Sequence, residues 1–154
     1  MKKNIFLFFA LLLSLSVMGQ KDNKVPEDQN NSYVPFIKFK GDTLSYLLHN
    51  FYHNEQKYIG KDLNTLLGDI EIPIKSYKMY DPDVQWSYGS YSAFFFNSIP
   101  HKESFMIIIY WAKALQIDCI NKLWLKSKGI WTEDVREYYG KQIIKYVGPG
   151  KSRY

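Results

Sequence analysis

Phe105-Met106-Ile107-Ile108-Ile109-Tyr110-Trp111 is an unbroken run of seven apolar or aromatic residues. Such a run puts apolar side chains on both faces of a strand, so it predicts a central strand covered on both sides. Residues 88–99, which contain Phe94-Phe95-Phe96, form another strand candidate just before it. The connection over residues 97–102 contains Pro100 and is predicted to be a turn.

An earlier strand is predicted over residues 70–75, which read Ile-Glu-Ile-Pro-Ile-Lys. The isoleucines alternate with other residues, as in a strand that has one buried face. Asp81-Pro82-Asp83 is a turn signal between this strand and the next. Three consecutive strands with short connections indicate an antiparallel meander.

Two helices are predicted before the strands. The first begins at the N-cap Asp42, and its apolar residues follow at i, i+3, i+4 and i+7. They are Leu44, Leu47, Leu48 and Phe51. Leu63, Leu66 and Leu67 predict a second helix that ends at Gly68. Residues 34–39 are predicted to form a short edge strand, because Pro35 cannot donate a hydrogen bond to a sheet.

The C-terminal third is predicted to contain two further helices and a final strand. Ile117, Ile120, Leu123 and Trp124 fit one helix, whereas Cys119 and Leu125 fit it poorly. Thr132-Glu133-Asp134 starts the next helix with an N-cap and two acids, and Gly140 ends it. Residues 143–147 favour a strand, although a helix continuing through Tyr146 is an alternative. Gly148-Pro149-Gly150 is expected to stop either one.

The predicted fold class is α+β, with two N-terminal helices, a three-stranded antiparallel meander, further helices and a final strand. The 154 residues leave room for one domain of ordinary size, which we assign to residues 34–147. Residues 20–33 are polar and without apolar periodicity, so they are predicted to be a flexible leader. Residues 148–154 are expected to be a C-terminal tail.

Residues 1–19 are predicted to be a signal peptide. Lys2 and Lys3 precede a mostly apolar run of 14 residues, 5–18, and Gly19 is followed by a polar segment. An uncleaved membrane anchor is the alternative, but a spanning helix needs about 20 apolar residues. A lipid anchor would need a cysteine at the cleavage point, and the only cysteine is Cys119. The mature protein is expected to be exported to the periplasm or the extracellular space and to have no stable membrane span after cleavage.

Removal of the predicted signal peptide lowers the net charge but hardly changes the aromatic content. The chain has 20 Lys plus Arg against 15 Asp plus Glu, and removal of the two lysines in residues 1–19 lowers the net charge from +5 to +3. The 13 Tyr, 10 Phe and 4 Trp fall only from 27 to 24. One cysteine excludes a disulfide framework and a Cys-rich zinc module. Residues 113–154 hold nine basic and four acidic residues, which indicates a solvated face or a surface attracting anionic polymers, not nucleic acid.

Catalytic signatures are weak in this sequence. His49 and His53 have the i, i+4 spacing of a metal pair, but they lie with Tyr46 on the side of the helix predicted to face solvent. Cys119 with His101, and Asp81 with Asp83, are conceivable pairs without supporting context. The chain lacks G-x-S-x-G and glycine-rich phosphate loops. No catalytic residue, metal site or cofactor is therefore predicted.

The aromatic residues Trp86, Tyr88 and Tyr91 are the candidate binding residues. With Tyr77 and Tyr80 they surround the predicted turn between the first two strands, where exposed Tyr and Trp would form a contact surface. The alternative is that these rings are core or cross-strand neighbours.

The predicted function is a non-catalytic binding or interaction module that uses an aromatic-rich sheet surface. Its partner would be a protein or a glycan at the cell envelope. The alternative is a small secreted hydrolase whose acids and histidines converge only in the fold. Its candidates are His49, His53, His101, Asp81, Asp83 and Glu103.

Overall fold

Four antiparallel strands form a sheet in the computed structural model, which describes residues 32–79, 89–96 and 103–153. The strands are β1 (Ser76–Met79), β2 (Tyr91–Phe95), β3 (Glu103–Trp111) and β4 (Ile144–Arg153). They are hydrogen-bonded in chain order, and each neighbouring pair is antiparallel. The meander and the central position of the 105–111 run are confirmed, because β3 has a strand on each side. The turns predicted at Asp81-Pro82-Asp83 and at residues 97–102 lie outside the described residues.

Helices precede the sheet and also connect its last two strands. Within the described residues the α-helices are α1 (Thr43–Leu47), α2 (Leu63–Asp69), α3 (Ile117–Ser127) and α4 (Glu133–Gly140). Short 3-10 turns occur at Phe36–Phe39 and Glu55–Lys57, and α1 continues as a π-helical turn, Leu48–Tyr52. The α+β class is thus confirmed, together with the two N-terminal helices and the final strand. None of the helices in this described part has the length and hydropathy to cross a membrane.

Aspartates begin the two N-terminal helices. The Asp42 carboxylate accepts a hydrogen bond from Ser45 N at 3.0 Å, and the Asp62 carboxylate accepts one from Thr65 N at 3.0 Å. Each satisfies an amide that the first helical turn leaves unpaired. The predicted cap at Asp42 is confirmed. Helix α2 extends one residue past Gly68 to Asp69, so the predicted end at Gly68 is wrong.

One face of the sheet carries the core. Buried residues on this face alternate along the strands, and they are Tyr77, Phe94, Ile107, Ile109, Trp111 and Val147. The helices cover it with buried side chains that include Leu63, Leu66, Ile120, Val135 and Tyr139. The ring of Phe94 lies 5.3 Å from Tyr139 and 6.3 Å from Trp111, both edge to face. We call this side of the sheet the core face.

Two predicted strands are wrong. Residues 36–39 form a 3-10 turn instead of an edge strand, because side chains and not a sheet hold this segment. The amide of Asn50 bonds both Val34 N and Val34 O at 2.8 Å. In residues 70–75 the isoleucines are half-buried and the residues between them exposed, so the alternation is real. The ladder nevertheless begins only at Ser76, which pairs with Phe95, the last residue of β2.

Residues 32–39, which we call the strap, pack against α1 and the turn that follows it. The rings of Phe36 and Phe39 lie 5.1 and 5.7 Å from that of Tyr46, both edge to face. Tyr46 is consequently 0% exposed, and its predicted position toward solvent is wrong. Tyr46 is covered by residues from another part of the chain, which the 3.6-residue period of α1 does not show.

Strand β4 contains a bulge that determines which face its residues occupy. Tyr110 pairs with Tyr146 and Trp111 pairs with Ile144, so Lys145 is the extra residue. The bulge places both Ile144 and Val147 in the core although they are three residues apart. It also places Tyr146 on the opposite face, beside Tyr110.

The same strand passes through Gly148-Pro149-Gly150 and reaches Arg153. The predictions that these residues stop it and that a tail begins at residue 148 are wrong. Val147 N is directed away from β3, toward the Glu55 carboxylate at 3.4 Å. Backbone N–H groups two residues apart in a strand are directed to the same side. The nitrogen of Pro149 is therefore also directed away from β3, where no hydrogen bond to β3 would form, and proline is tolerated there.

Candidate functional site

Four tyrosines lie together on the side of the sheet away from the core, and we call them the tyrosine row. They are Tyr91, Tyr110, Tyr146 and Tyr52. The first three come from β2, β3 and β4, and Tyr52 ends the π-helical turn. Tyr110 and Tyr146 are each 37% exposed. The sheet side that carries the row is called the open face.

Strand register brings the row together. Tyr91 is directly opposite Tyr110, and Tyr110 is directly opposite Tyr146. Directly opposite residues of antiparallel strands have side chains on the same face and in contact. The Tyr91 and Tyr110 rings are stacked at 5.2 Å with 26° between their planes, whereas Tyr146 meets Tyr110 edge to face at 5.5 Å. The stack therefore covers one face of the Tyr91 ring and one face of the Tyr110 ring.

The π-helical turn supplies the last member of the row. His53 N donates to Leu48 O at 2.9 Å, the i to i+5 bond of a π-helix. This wider turn follows α1 and ends at Tyr52, and π-turns occur frequently at functional sites. The exposed ring of His53 lies 5.2 Å from the Tyr52 ring.

The pKa of Tyr146 lies above the usual tyrosine value. A hydrogen bond with Tyr52 raises the pKa of Tyr146, and burial and the nearby Glu55 carboxylate act in the same direction. A neutral tyrosine hydroxyl can both donate and accept hydrogen bonds. The row offers apolar ring edges and neutral hydroxyls, which suit recognition better than acid–base chemistry.

The open face is not uniformly exposed. Ala93 and Phe95, farther along β2, are each 5% exposed. Met106 and Ile108 are half-buried, and a Cβ built at Gly150 would lie 2.6 Å from Met106 Cγ. The prediction that the 105–111 strand is covered on both sides is therefore wrong at Tyr110, where the open face reaches solvent.

A second cluster of tyrosines joins the strap to Tyr46 and to residues 69–71. The Tyr33 hydroxyl is 2.8 Å from both Asp69 O and Glu71 Oε1, and Glu71 Oε2 accepts a hydrogen bond from Phe36 N at 2.9 Å. Burial raises the pKa of Tyr33, and hydrogen bonds to Tyr46 and Glu71 raise it further. These polar groups are paired with one another, as expected for a structural attachment of the strap.

Asp69 is the anionic centre of this second cluster. Its carboxylate accepts a hydrogen bond from the Tyr58 hydroxyl at 2.9 Å and lies 2.7 Å from Lys57 Nζ. Burial raises the pKa of Asp69, but the bonds from Lys57 and Tyr58 outweigh it, so the pKa is lowered. The carboxylate remains ionised and bound, which leaves it poorly suited to act as a general base.

Of the three predicted binding residues, the structure describes Tyr91, and it belongs to the tyrosine row. Trp86 and Tyr88 lie outside the described residues, as does Tyr80. Tyr77 is buried on the core face. Sequence reasoning missed Tyr110, Tyr146 and Tyr52 as companions of Tyr91. The pairing across strands that joins them cannot be read from the sequence.

The predicted catalytic candidates are described only in part. His49 Nε2 lies 3.3 Å from Ser32 O, so this histidine contacts the strap, and His53 is exposed beside Tyr52. Cys119 is a half-buried free thiol whose Sγ is 3.4 Å from Gln116 Oε1. Asp81, Asp83, His101 and the side chain of Glu103 lie outside the described part. Within that part, no three His, Cys, Asp or Glu side chains are arranged to hold a metal ion.

An open groove of about 310 Å³ runs along α4. It is lined by Asp134, Glu137, Tyr138, Lys141 and Gln142. Its carboxylates are paired with lysines, Asp134 with Lys126 and Glu137 with Lys141. Such exposed pairs lie on a solvated helix surface and are weak indicators of a site.

Comparisons with protein-family models, curated proteins and solved structures find no match to this chain. The function is accordingly inferred from the geometry of the tyrosine row.

Proposed function

We propose that the protein is a non-catalytic interaction module that binds another protein through the tyrosine row. The observation that carries the proposal is the contact of Tyr91, Tyr110 and Tyr146 across three strands, with two of them 37% exposed. Tyrosine combines a large apolar ring with a hydroxyl, and it is enriched at the centres of protein interfaces. A rigid sheet also limits the entropy lost when such side chains bind.

The ring arrangement favours a protein partner over a glycan. A sugar that stacks on tyrosine needs an exposed ring face, and the Tyr91–Tyr110 stack at 5.2 Å covers one face of each of these rings. Ring edges and hydroxyls instead suit mixed apolar and hydrogen-bonding contacts with side chains and backbone. Trp86 and Tyr88, which precede β2 in the sequence, stay predicted binding residues.

We also propose that the protein acts outside the cytoplasm. Lys2, Lys3 and the apolar run over residues 5–18 support export through a signal peptide that ends at residue 19. The partner would then be a protein of the cell envelope or of the extracellular space.

The test is capture of partners from envelope and secreted fractions of the source cells. Three forms of the protein are compared: wild type, Tyr110→Ala/Tyr146→Ala, and Leu125→Ala. Leu125 is 64% exposed and belongs to α3, which contributes no residue to the row. It is therefore a matched control for the loss of a large exposed side chain. We expect one or more proteins to be retained by wild type and Leu125→Ala and lost with the double variant.

Circular dichroism and thermal melts of all three forms separate loss of binding from loss of structure. Equal retention of the same proteins by the double variant would contradict the proposal. A glycan array run in parallel tests the other ligand class. Row-dependent retention on glycans without any captured protein would show that the assignment to a protein partner is wrong.

A further inference from the structure

Tyr110 has a tyrosine directly opposite it on each neighbouring strand. The Tyr91 ring lies 5.2 Å away and nearly parallel, at 26°, whereas the Tyr146 ring lies 5.5 Å away at 61°. Tyr110 is also 37% exposed, so soluble oxidants reach it. This combination of ring contact and exposure is a chemical property of the row that does not depend on any binding partner.

We propose that Tyr91 and Tyr110 form an oxidative modification site, at which the two rings are joined covalently as dityrosine. The oxidant is hydrogen peroxide acting through a peroxidase. Each phenol loses one electron and one proton, and the two phenoxyl radicals form a carbon–carbon bond between ring positions ortho to the hydroxyls. Loss of the two ortho hydrogens as protons, with reprotonation of both oxygens, restores the phenols. The sum is two tyrosines plus one peroxide giving one dityrosine and two waters.

Geometry favours the Tyr91–Tyr110 pair over Tyr110–Tyr146. Radical coupling requires overlap of the two ring π-systems, which a near-parallel stack provides and an edge-to-face contact does not. Holding the reacting atoms together replaces a bimolecular encounter with an intramolecular step. Rotamer motions of exposed side chains on the picosecond to nanosecond scale supply the small ring rotation that bond formation needs.

Burial distinguishes this pair from another close tyrosine pair. The Tyr138 and Tyr139 rings are 5.3 Å apart, but they are edge to face at 87°, and Tyr139 is 0% exposed. Tyr138 is therefore a matched control: it has a tyrosine neighbour at a similar distance without the stacking or the access.

The experiment treats dilute protein with hydrogen peroxide and a haem peroxidase, then measures intact mass, dityrosine fluorescence and cross-linked peptides. Wild type is compared with Tyr91→Phe, Tyr110→Phe and Tyr138→Phe. A parallel set carries Cys119→Ser, because a free thiol competes for oxidant. We expect a monomer lighter by two hydrogens and a link between the peptides that contain Tyr91 and Tyr110. Tyr91→Phe and Tyr110→Phe should each lose most of the fluorescence, and Tyr138→Phe should retain it.

Three results would overturn the inference: an unchanged fluorescence yield in Tyr91→Phe, a dominant link at any other tyrosine pair, or links between separate molecules only. Each phenylalanine variant keeps the ring, and its melting temperature tests whether the fold is retained. Loss of partner capture in the test of the proposed function would leave this outcome unaffected, so the two proposals fail separately.

Discussion

The two faces of the sheet use aromatic residues in different ways. On the core face, Phe94, Trp111 and Tyr139 are in mutual contact and almost wholly buried. On the open face, Tyr110 contacts both Tyr91 and Tyr146, and the row reaches solvent. Side chains of one chemical class thus stabilise the fold on one side and form a surface on the other. Burial, not aromatic content, distinguishes a structural ring from a candidate binding ring.

The largest contrast should come from truncating one ring on each face. Phe94→Ala removes a fully buried ring, and we expect the free energy of unfolding to fall by about 3–5 kcal/mol. Tyr110→Ala removes a partly exposed ring with two neighbours, and we expect a loss of about 1 kcal/mol or less. Urea denaturation with a common m-value measures both. Equal losses would show that the two faces contribute alike to stability.

Alkaline pH should act mainly through buried tyrosines. Burial raises the pKa of Tyr46, Tyr58, Tyr77 and Tyr139 above the usual 10.0. Below pH 10 both folded and unfolded chains keep these protons, so the stability is fully present. Above it, the unfolded chain releases protons that the folded chain retains, so stability falls by about 1.4 kcal/mol per pH unit for each such group.

Urea midpoints measured between pH 8 and pH 11 (roughly one unit either side of the ordinary tyrosine pKa) check this prediction. A stability that stays constant across that interval would contradict it.

Two glycines of β4 sharpen the contrast within the open face. A Cβ at Gly150 would lie 2.6 Å from Met106 Cγ, whereas a Cβ at Gly148 would meet its nearest neighbour, Tyr146, at 3.6 Å. We expect Gly150→Ala to destabilise by about 1–3 kcal/mol through overpacking. Gly148→Ala should stabilise by about 0.5–1 kcal/mol, because alanine loses less backbone entropy in a strand. Thermal melts that rank the two variants in the opposite order would refute this account.

The smallest effect is expected at a hydroxyl in the core. Among the described residues Tyr139 Oη has no hydrogen-bond partner with good geometry, although the nearby Ser92 hydroxyl partly offsets the rise that burial causes in its pKa. Tyr139→Phe should therefore change stability by about 1 kcal/mol or less, in either direction. The variant also lacks one of the buried tyrosines whose protons make stability fall above pH 10, so its stability should fall less steeply with pH. A loss of several kcal/mol would reveal a partner for this hydroxyl.

The sequence predicted the elements that depend on interactions between residues close together in the chain. The cap at Asp42, the meander and the strand at residues 143–147 follow from capping, alternation and apolar runs, and each is present. Residues 70–75 show the limit of alternation. They alternate in burial, but a strand also needs a partner opposite it, which is a property of the fold and not of the segment.

The errors share one cause, which is contact between distant residues. Tyr46 is buried because the strap covers the side of its helix that local periodicity leaves polar. Tyr146 faces Tyr110 only because Lys145 is a bulge, and no residue type marks that bulge in the sequence. The tyrosine row depends on two registers and one bulge, so the sequence could name Tyr91 but not its companions.

Pro149 has a consequence for association between molecules. It lies in β4, an edge strand, at a position whose backbone nitrogen is directed away from the sheet. A second chain that paired with β4 there would find no N–H donor at Pro149. Prolines in edge strands hinder such sheet extension in natural proteins. The strand that presents Tyr146 to solvent thus carries, three residues later, a barrier to fibril formation.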